Sequence, residues 1–191
     1  MSTKRGLDTP TILNAAADLA EEKGLENVSL LQVAKKLGVR SPSLYNHLSG
    51  LKELSLGIAK LAISRLEDAI RNAAVGRSKD DAFMAIALAY RKFAKKNPEL
   101  YKAILNFPAY HDSRIHEAGH AVVRILYQVM EPYHYRKEST IHFVRGFRSA
   151  LHGFVSLEWA GFFQGAEADV DESFERLVSH LISTLNIMED P

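Results

Sequence analysis

Between its glycines and prolines, this chain repeats its apolar residues at helical spacing, and that regularity decides the fold class. Phe174, Leu177, Val178, Leu181, Ile182 and Leu185 recur every three or four residues, the period of one helix face. No apolar/polar alternation is sustained, and no Asn-Gly or Asp-Gly pair offers a hairpin turn. The reading is all-α. Helix ends are marked as well. Thr9-Pro10, Ser41-Pro42 and Asn97-Pro98 each set proline behind a capping side chain, where its missing N–H is no loss. Ser29-x-x-Gln32, Ser78-x-x-Asp81 and Asp169-x-x-Glu172 have capping-box form, and Gly24 and Gly38 stand where helices stop. About nine helices follow, near 9–23, 30–37, 41–47, 51–75, 79–96, 98–106, 112–131, 138–163 and 171–187.

The first three helices are short and close together, and the later ones are longer. This divides the chain into a three-helix unit over 1–50 and a larger helical body over 51–191, bridged by the helix that starts at Leu51. The absence of cysteine removes disulfides, thiolate metal sites and cysteine nucleophiles together. No run of apolar residues is long enough to span a bilayer, and Met1–Gly6 is polar where a signal peptide would be apolar. The expectation is a cytoplasmic protein with no membrane partner.

Charge is almost balanced, with Lys+Arg 24 against Asp+Glu 23. A protein that coats nucleic acid with massed cations is thereby excluded. The average conceals a local excess, however. Residues 27–52 carry Lys35, Lys36, Arg40 and Lys52 with no Asp or Glu, whereas Asp18, Glu21, Glu22 and Glu26 read as a solvated acidic face just before them.

That cationic stretch is also the most structured motif. Ser29 caps a short helix whose inward positions are Val33, Ala34 and Leu37; Gly38-Val39 makes a tight turn; Ser41-Pro42 opens a second helix bearing Leu44, Tyr45 and Leu48. Helix, short glycine-containing turn, helix is the layout of a helix-turn-helix. The exposed amides at the start of the second helix suit a phosphate.

The string from Leu31 to Leu48, LQVAKKLGVRSPSLYNHL, resembles the DNA-binding signature of TetR-family regulators, as do Gly50-Leu51-Lys52-Glu53-Leu54 and Ile12-Leu13-Asn14-Ala15-Ala16. Leu48 stands where the family usually has Phe, and Ser29 where it usually has Thr. The resemblance implies that Arg40, Ser41, Ser43 and Asn46 face the major groove, that Tyr45 and His47 touch the sugar–phosphate backbone, and that Lys52 meets a phosphate. It further implies a homodimer on a pseudo-palindromic double-stranded operator, with half-sites ~34–36 Å or a multiple apart.

In the body, Phe83, Ile86, Tyr90 and Phe93 share one helical face, and Phe143, Phe147, Leu151, Phe154, Trp159, Phe162 and Phe163 crowd the eighth helix. A helix apolar around so much of its circumference is buried on several sides. Phe143–Phe154 resembles the WHG-type ligand-binding domain of a TetR subfamily, with Leu151 in place of the usual Trp before His152-Gly153. By that resemblance the last two helices pair with a second copy, and the middle helices enclose a small-molecule effector. Phe107, Tyr110, Phe147, His152 and Trp159 are the candidate lining residues. The implied function is a ligand-responsive regulator, a repressor released from its operator by the effector, with no cofactor and no catalytic or metal site.

One motif points elsewhere. His116-Glu117-Ala118-Gly119-His120 has the H-E-x-x-H form of zinc peptidases, with two histidines on one helical face and Glu117 as the general base. His111, Asp112, His134 and His142 are third ligands only in principle, because none has the expected sequence setting. Zinc peptidase is therefore the weaker alternative.

Overall fold

The computed structural model describes residues 7–106, 113–165 and 167–186, with the backbone alone for 113–116. Among the described residues all regular structure is helical, as the periodicity requires: α1 (Thr9–Lys23), α2 (Leu30–Leu37), α3 (Leu51–Ala74), α4 (Lys79–Lys96), α5 (Pro98–Leu105), α6 (Ser113–Met130), α7 (Lys137–Trp159) and α8 (Val170–Thr184), with 3₁₀ turns at Leu25–Asn27, Ser41–Asn46 and Glu131–Tyr133. They form two compact units. One takes the chain up to Arg65 with the segment Asn97–Ala118; the other takes Leu66–Lys96 and the chain from Gly119 onward.

In the first unit, α1 begins one residue earlier than its Thr9-Pro10 pair suggests. The Asp8 carboxylate accepts the Thr11 N–H at 2.8 Å, so Asp8 is the cap. Ser29 caps α2 as expected, accepting the Gln32 N–H at 3.3 Å. Gly38, at φ 67°, ends that helix: its N–H closes on the Lys35 carbonyl at 3.2 Å, and the Val39 N–H on Ala34 at 3.0 Å. This paired closure needs a left-handed residue, which glycine supplies without strain.

The expected helix over 41–47 is instead a 3₁₀ turn, and its cap position falls on Arg40 rather than Ser41. Tertiary packing overrides the local helix signal: buried Leu44 and Leu48 anchor the segment in the core, and a short run of the tighter helix carries them. The Ser43 N–H closes on Arg40 at 2.9 Å and that of His47 on Leu44 at 3.0 Å, an i to i+3 pattern.

Small residues let these helices approach closely. Ala16, Ala17, Ala20 and Ala34 are buried, and Gly57 in α3 leaves room for Leu13: a Cβ there would lie 2.3 Å from Leu13 Cδ2. α5 packs on α1, an association that distance along the chain conceals. Here Glu21 departs from the solvated-face reading. Its carboxylate accepts the α5 amides of Leu100 at 2.9 Å and Glu99 at 3.4 Å. Glu99 in turn accepts the Leu25 N–H at 2.8 Å and pairs with Lys102 at 2.5 Å. Burial works to raise the Glu99 pKa, but the hydrogen bonds from Lys102 and Leu25 outweigh it and hold the carboxyl below its ordinary value.

In the second unit α4, α7 and α8 pack together. Phe83, Phe147 and Phe174 are fully buried, with the Phe83 ring edge-on to Phe147 at 5.0 Å and to Phe143 at 5.2 Å. Among the described residues, Arg91 is the charged residue buried in this core. Arg91 of α4 donates two hydrogen bonds to Glu158 of α7, at 2.8 and 2.6 Å, and one to Asp171 of α8, at 2.7 Å. Its guanidinium lies 4.9 Å from the Phe174 ring centre and 5.5 Å from that of Phe154.

α7 stops at Trp159, short of the expected residue 163. Gly161, at φ 80°, reverses the chain, with the Phe162 N–H reaching back to Leu157 at 3.0 Å. Phe163 then folds onto Phe154, with ring centres 4.8 Å apart, and Phe162 is left exposed. No helix among the described residues is long and apolar enough to cross a membrane.

Candidate nucleic-acid interface

Leu44 and Leu48 set the register of the helix-turn-helix. Both are buried, so the side chains between and before them are turned outward. Arg40, Asn46 and Lys52 are exposed, Tyr45 is 59% exposed, and Ser41, Ser43 and His47 are half-buried. All seven expected contact residues thus fall within one short segment that begins in the turn and ends in the first turn of α3.

Tyr45 presents its phenol to solvent beside the two buried leucines. Leu31, 71% exposed on α2, and Leu51, 52% exposed at the start of α3, add apolar surface that the sequence motif does not single out.

The cationic excess is smaller than the sequence count. Lys36 pairs with Glu22 of α1 at 2.6 Å, an ion pair near the surface that adds little stability but neutralises a positive charge. Lys35, Arg40 and Lys52 have no carboxylate within ion-pair distance among the described residues. At the start of α3 the Glu53 carboxylate accepts the Ser49 N–H, which fixes the helix end that presents Lys52. Three cations on a rigid frame can neutralise phosphates, while the short polar side chains beside Arg40 can reach base edges.

Of the expected effector residues, the three that the structure describes do not share one face. Phe107 and Tyr110 lie outside the described residues. Phe147 is 1% exposed and built into the aromatic core, whereas His152 and Trp159 are exposed on the opposite side of α7.

The zinc-peptidase string lies in α6 with Glu117 and His120 exposed; the side chain of His116, and all of His111 and Asp112, lie outside the described residues. His134 and His142 are exposed. Among the described residues no three His, Asp or Glu side chains gather as a metal-binding group.

Two family profiles match separate parts of the chain. Residues 12–54 match the family profile described as bacterial regulatory proteins, tetR family, and residues 83–181 match the one described as tetracyclin repressor-like, C-terminal domain. That second description does not name the WHG subtype suggested by His152-Gly153. The uncharacterized HTH-type transcriptional regulator YobS of Bacillus subtilis is 36% identical over 98% of this chain and 97% of its own length. Among solved structures, a possible TetR family transcriptional regulator from Streptomyces coelicolor superposes with a TM-score of 0.71 at 15% identity, over 95% of this chain and 100% of its own. A single-residue variant of TetR from Acinetobacter baumannii, in complex with minocycline, gives 0.67 at 17% identity, over 95% and 97%. At such identities the superpositions establish the fold alone.

Proposed function

The chain belongs to the tetR family of bacterial transcription regulators, and on that premise we propose that it is a cytoplasmic, homodimeric repressor released from its operator by a small molecule. The observation that carries this reading is the outward run from Arg40 to Lys52, held in register by buried Leu44 and Leu48 within the segment that matches the profile of bacterial regulatory proteins of the tetR family. We assign base contacts to Arg40, Ser41, Ser43 and Asn46, and backbone contacts to Tyr45, His47 and Lys52. The functional division is the DNA-binding part over 1–50 and the effector-binding and dimerisation part over 51–191.

Self-association is assigned to the exposed faces of α7 and α8. Exposed Ser149, His152 and Trp159 share one side of α7, and exposed His180 shares one side of α8 with half-buried Leu177 and Leu181. A four-helix contact between two copies would cover both, and a C₂ dimer would present the reading head twice. An effector acts by binding the DNA-incompetent arrangement more tightly, which shifts the population by ~1–3 kcal/mol of coupling.

Genomic fragments selected on the purified protein test the reading. The expected product is a two-fold-symmetric sequence with half-sites about one helical turn or a multiple apart. Recovery of fragments with no common symmetric element would overturn it.

A further inference from the structure

Apart from the DNA-facing segment, the second unit holds a cleft of about 290 Å³ where α3 ends, α4 begins and α6 passes, lined by Arg71, Arg77, Ser78, Lys79, Gln128 and an apolar floor that includes Ile125 and Val129. Among the described residues the lining holds three cations, Arg71, Arg77 and Lys79, and no carboxylate; Glu67, which pairs with Arg71, lies outside it.

Each cation is held in place. Arg71 pairs with Glu67 one helical turn back, and the Arg77 guanidinium donates to the Ala73 carbonyl at 2.7 Å. The Lys79 ammonium lies 5.5 Å from the centre of the Tyr133 ring. Arg77 and Lys79 have no carboxylate partner among the described residues. Lys79 itself sits at φ 49°, a left-handed conformation uncommon outside glycine, and the tight turn through Gly76 places it there. Asp80, the nearest acid in the chain, is taken up by the Tyr133 hydroxyl and by Asn186 at 3.1 Å, and it does not line the cleft.

The second unit has a larger basic groove of about 410 Å³, beside Lys92, Lys95 and Lys96, but it differs in kind. Its Arg91 is committed to Glu158 and Asp171, as Arg71 is to Glu67, but here the carboxylates of Asp171 and Glu175 line the groove itself.

We infer that the Arg71–Arg77–Lys79 cleft binds a small amphiphilic anion, a carboxylate or phosphate head on a short hydrocarbon, and that this anion is the regulator's effector. Guanidinium groups fork onto such oxyanions, Ser78 and Gln128 supply neutral donors, and the apolar floor accepts a tail of a few carbons. The volume lies just under the usual range for small-molecule sites, which suits a ligand of few atoms. This inference rests on the reading of the chain as a ligand-responsive regulator.

Calorimetry on the full chain at low ionic strength would use hexanoate, hexyl phosphate, inorganic phosphate and, as the neutral control, 1-hexanol. The expected result is binding of hexanoate or hexyl phosphate at roughly 1 mM or tighter, with hexanol silent. Which of the two binds better, and how inorganic phosphate compares, identifies the head group and the contribution of the tail. The double variant Arg77→Ser with Lys79→Asn should weaken binding about tenfold or more, asparagine tolerating the left-handed backbone. Lys92→Ser, in the other groove, should leave it unchanged. The bound anion should lower retention of selected operator fragments by the wild type and not by the double variant.

Absence of binding by every anion, equal binding of hexanol, or unaltered affinity in the double variant would overturn the site. Binding that leaves DNA retention unchanged would overturn its role as effector. If the protein without anion retains no DNA, the regulator reading is what has failed, and the calorimetry still judges the cleft.

Discussion

Replacing Arg91 by methionine keeps a long stem between Phe154 and Phe174 but removes the charge that joins α4, α7 and α8. Three charge-assisted hydrogen bonds disappear, two to Glu158 and one to Asp171. Glu158 is the costly remainder, since its side chain is only 16% exposed and is left with Lys95 at 3.2 Å. Removing one partner of a buried pair costs about 3–5 kcal/mol, and the remaining Lys95 places this case near the lower end, at about 3 kcal/mol. For a chain of this size that lowers Tm by about 6–12 °C at fixed protomer concentration. The double variant with Glu158→Met should recover most of the loss, because no unpaired charge then stays inside.

The pH dependence follows from the same contacts. The Arg91 hydrogen bond is the largest influence on Glu158 and lowers its pKa, burial opposes it, and Lys95 assists. The Asp171 carboxyl is lowered chiefly by the same guanidinium. A carboxyl depressed in the folded state stabilises fully above its unfolded value of about 4, and that stabilisation is lost as pH falls through the folded value. The gap between wild type and Arg91→Met should therefore be widest near neutrality and close below about pH 4. Denaturant unfolding between about pH 7 and 3 measures it. A gap under about 0.5 kcal/mol at neutral pH, or one indifferent to pH, refutes the argument.

Lys52→Ala should reduce the slope of log affinity for operator against log salt by about 1, and an unchanged slope rejects a phosphate contact. Arg40→Ala should relax base preference at one operator position in a selection experiment; a uniform loss across sequences reassigns it to the backbone. Gly38→Ala should cost about 1 kcal/mol in thermal unfolding, and Gly38→Asn less, because a Cβ there meets nothing and only the left-handed backbone is strained; an alanine variant as stable as wild type would refute the turn argument. Glu21→Ala should cost about 1 kcal/mol by leaving the Glu99 and Leu100 amides without their acceptor, and a neutral effect in the same assay would show that water replaces the cap.

What is legible in the chain is what depends on neighbours. Ser29 and Asp169 cap their helices, and Gly24 and Gly38 end theirs, because each acts on amides or carbonyls within a few residues. The reading head belongs to this class: its partner is external, so its residues can lie together in sequence as well as in space. The departures have a common cause. Glu21 reads as solvated because the α5 amides it caps lie 78 and 79 residues away, and the sequence does not separate buried Phe147 from exposed His152 and Trp159 because periodicity assigns a residue to a face without saying what that face meets. Gly161 marks the end of α7 in the sequence too, but the flanking aromatics at helical spacing outweigh a single glycine. The cleft needs three segments, two of them adjoining the Val75–Lys79 turn and the third from Ile125 onward. Its only local signal is Arg71 followed by Arg77-Ser78-Lys79, cations gathered on a turn whose geometry neither helix demands. A regulator's DNA contacts are therefore open to sequence reasoning in a way that its ligand contacts are not, since a groove outside the molecule can be read by one continuous segment while a cavity inside it must be closed by several.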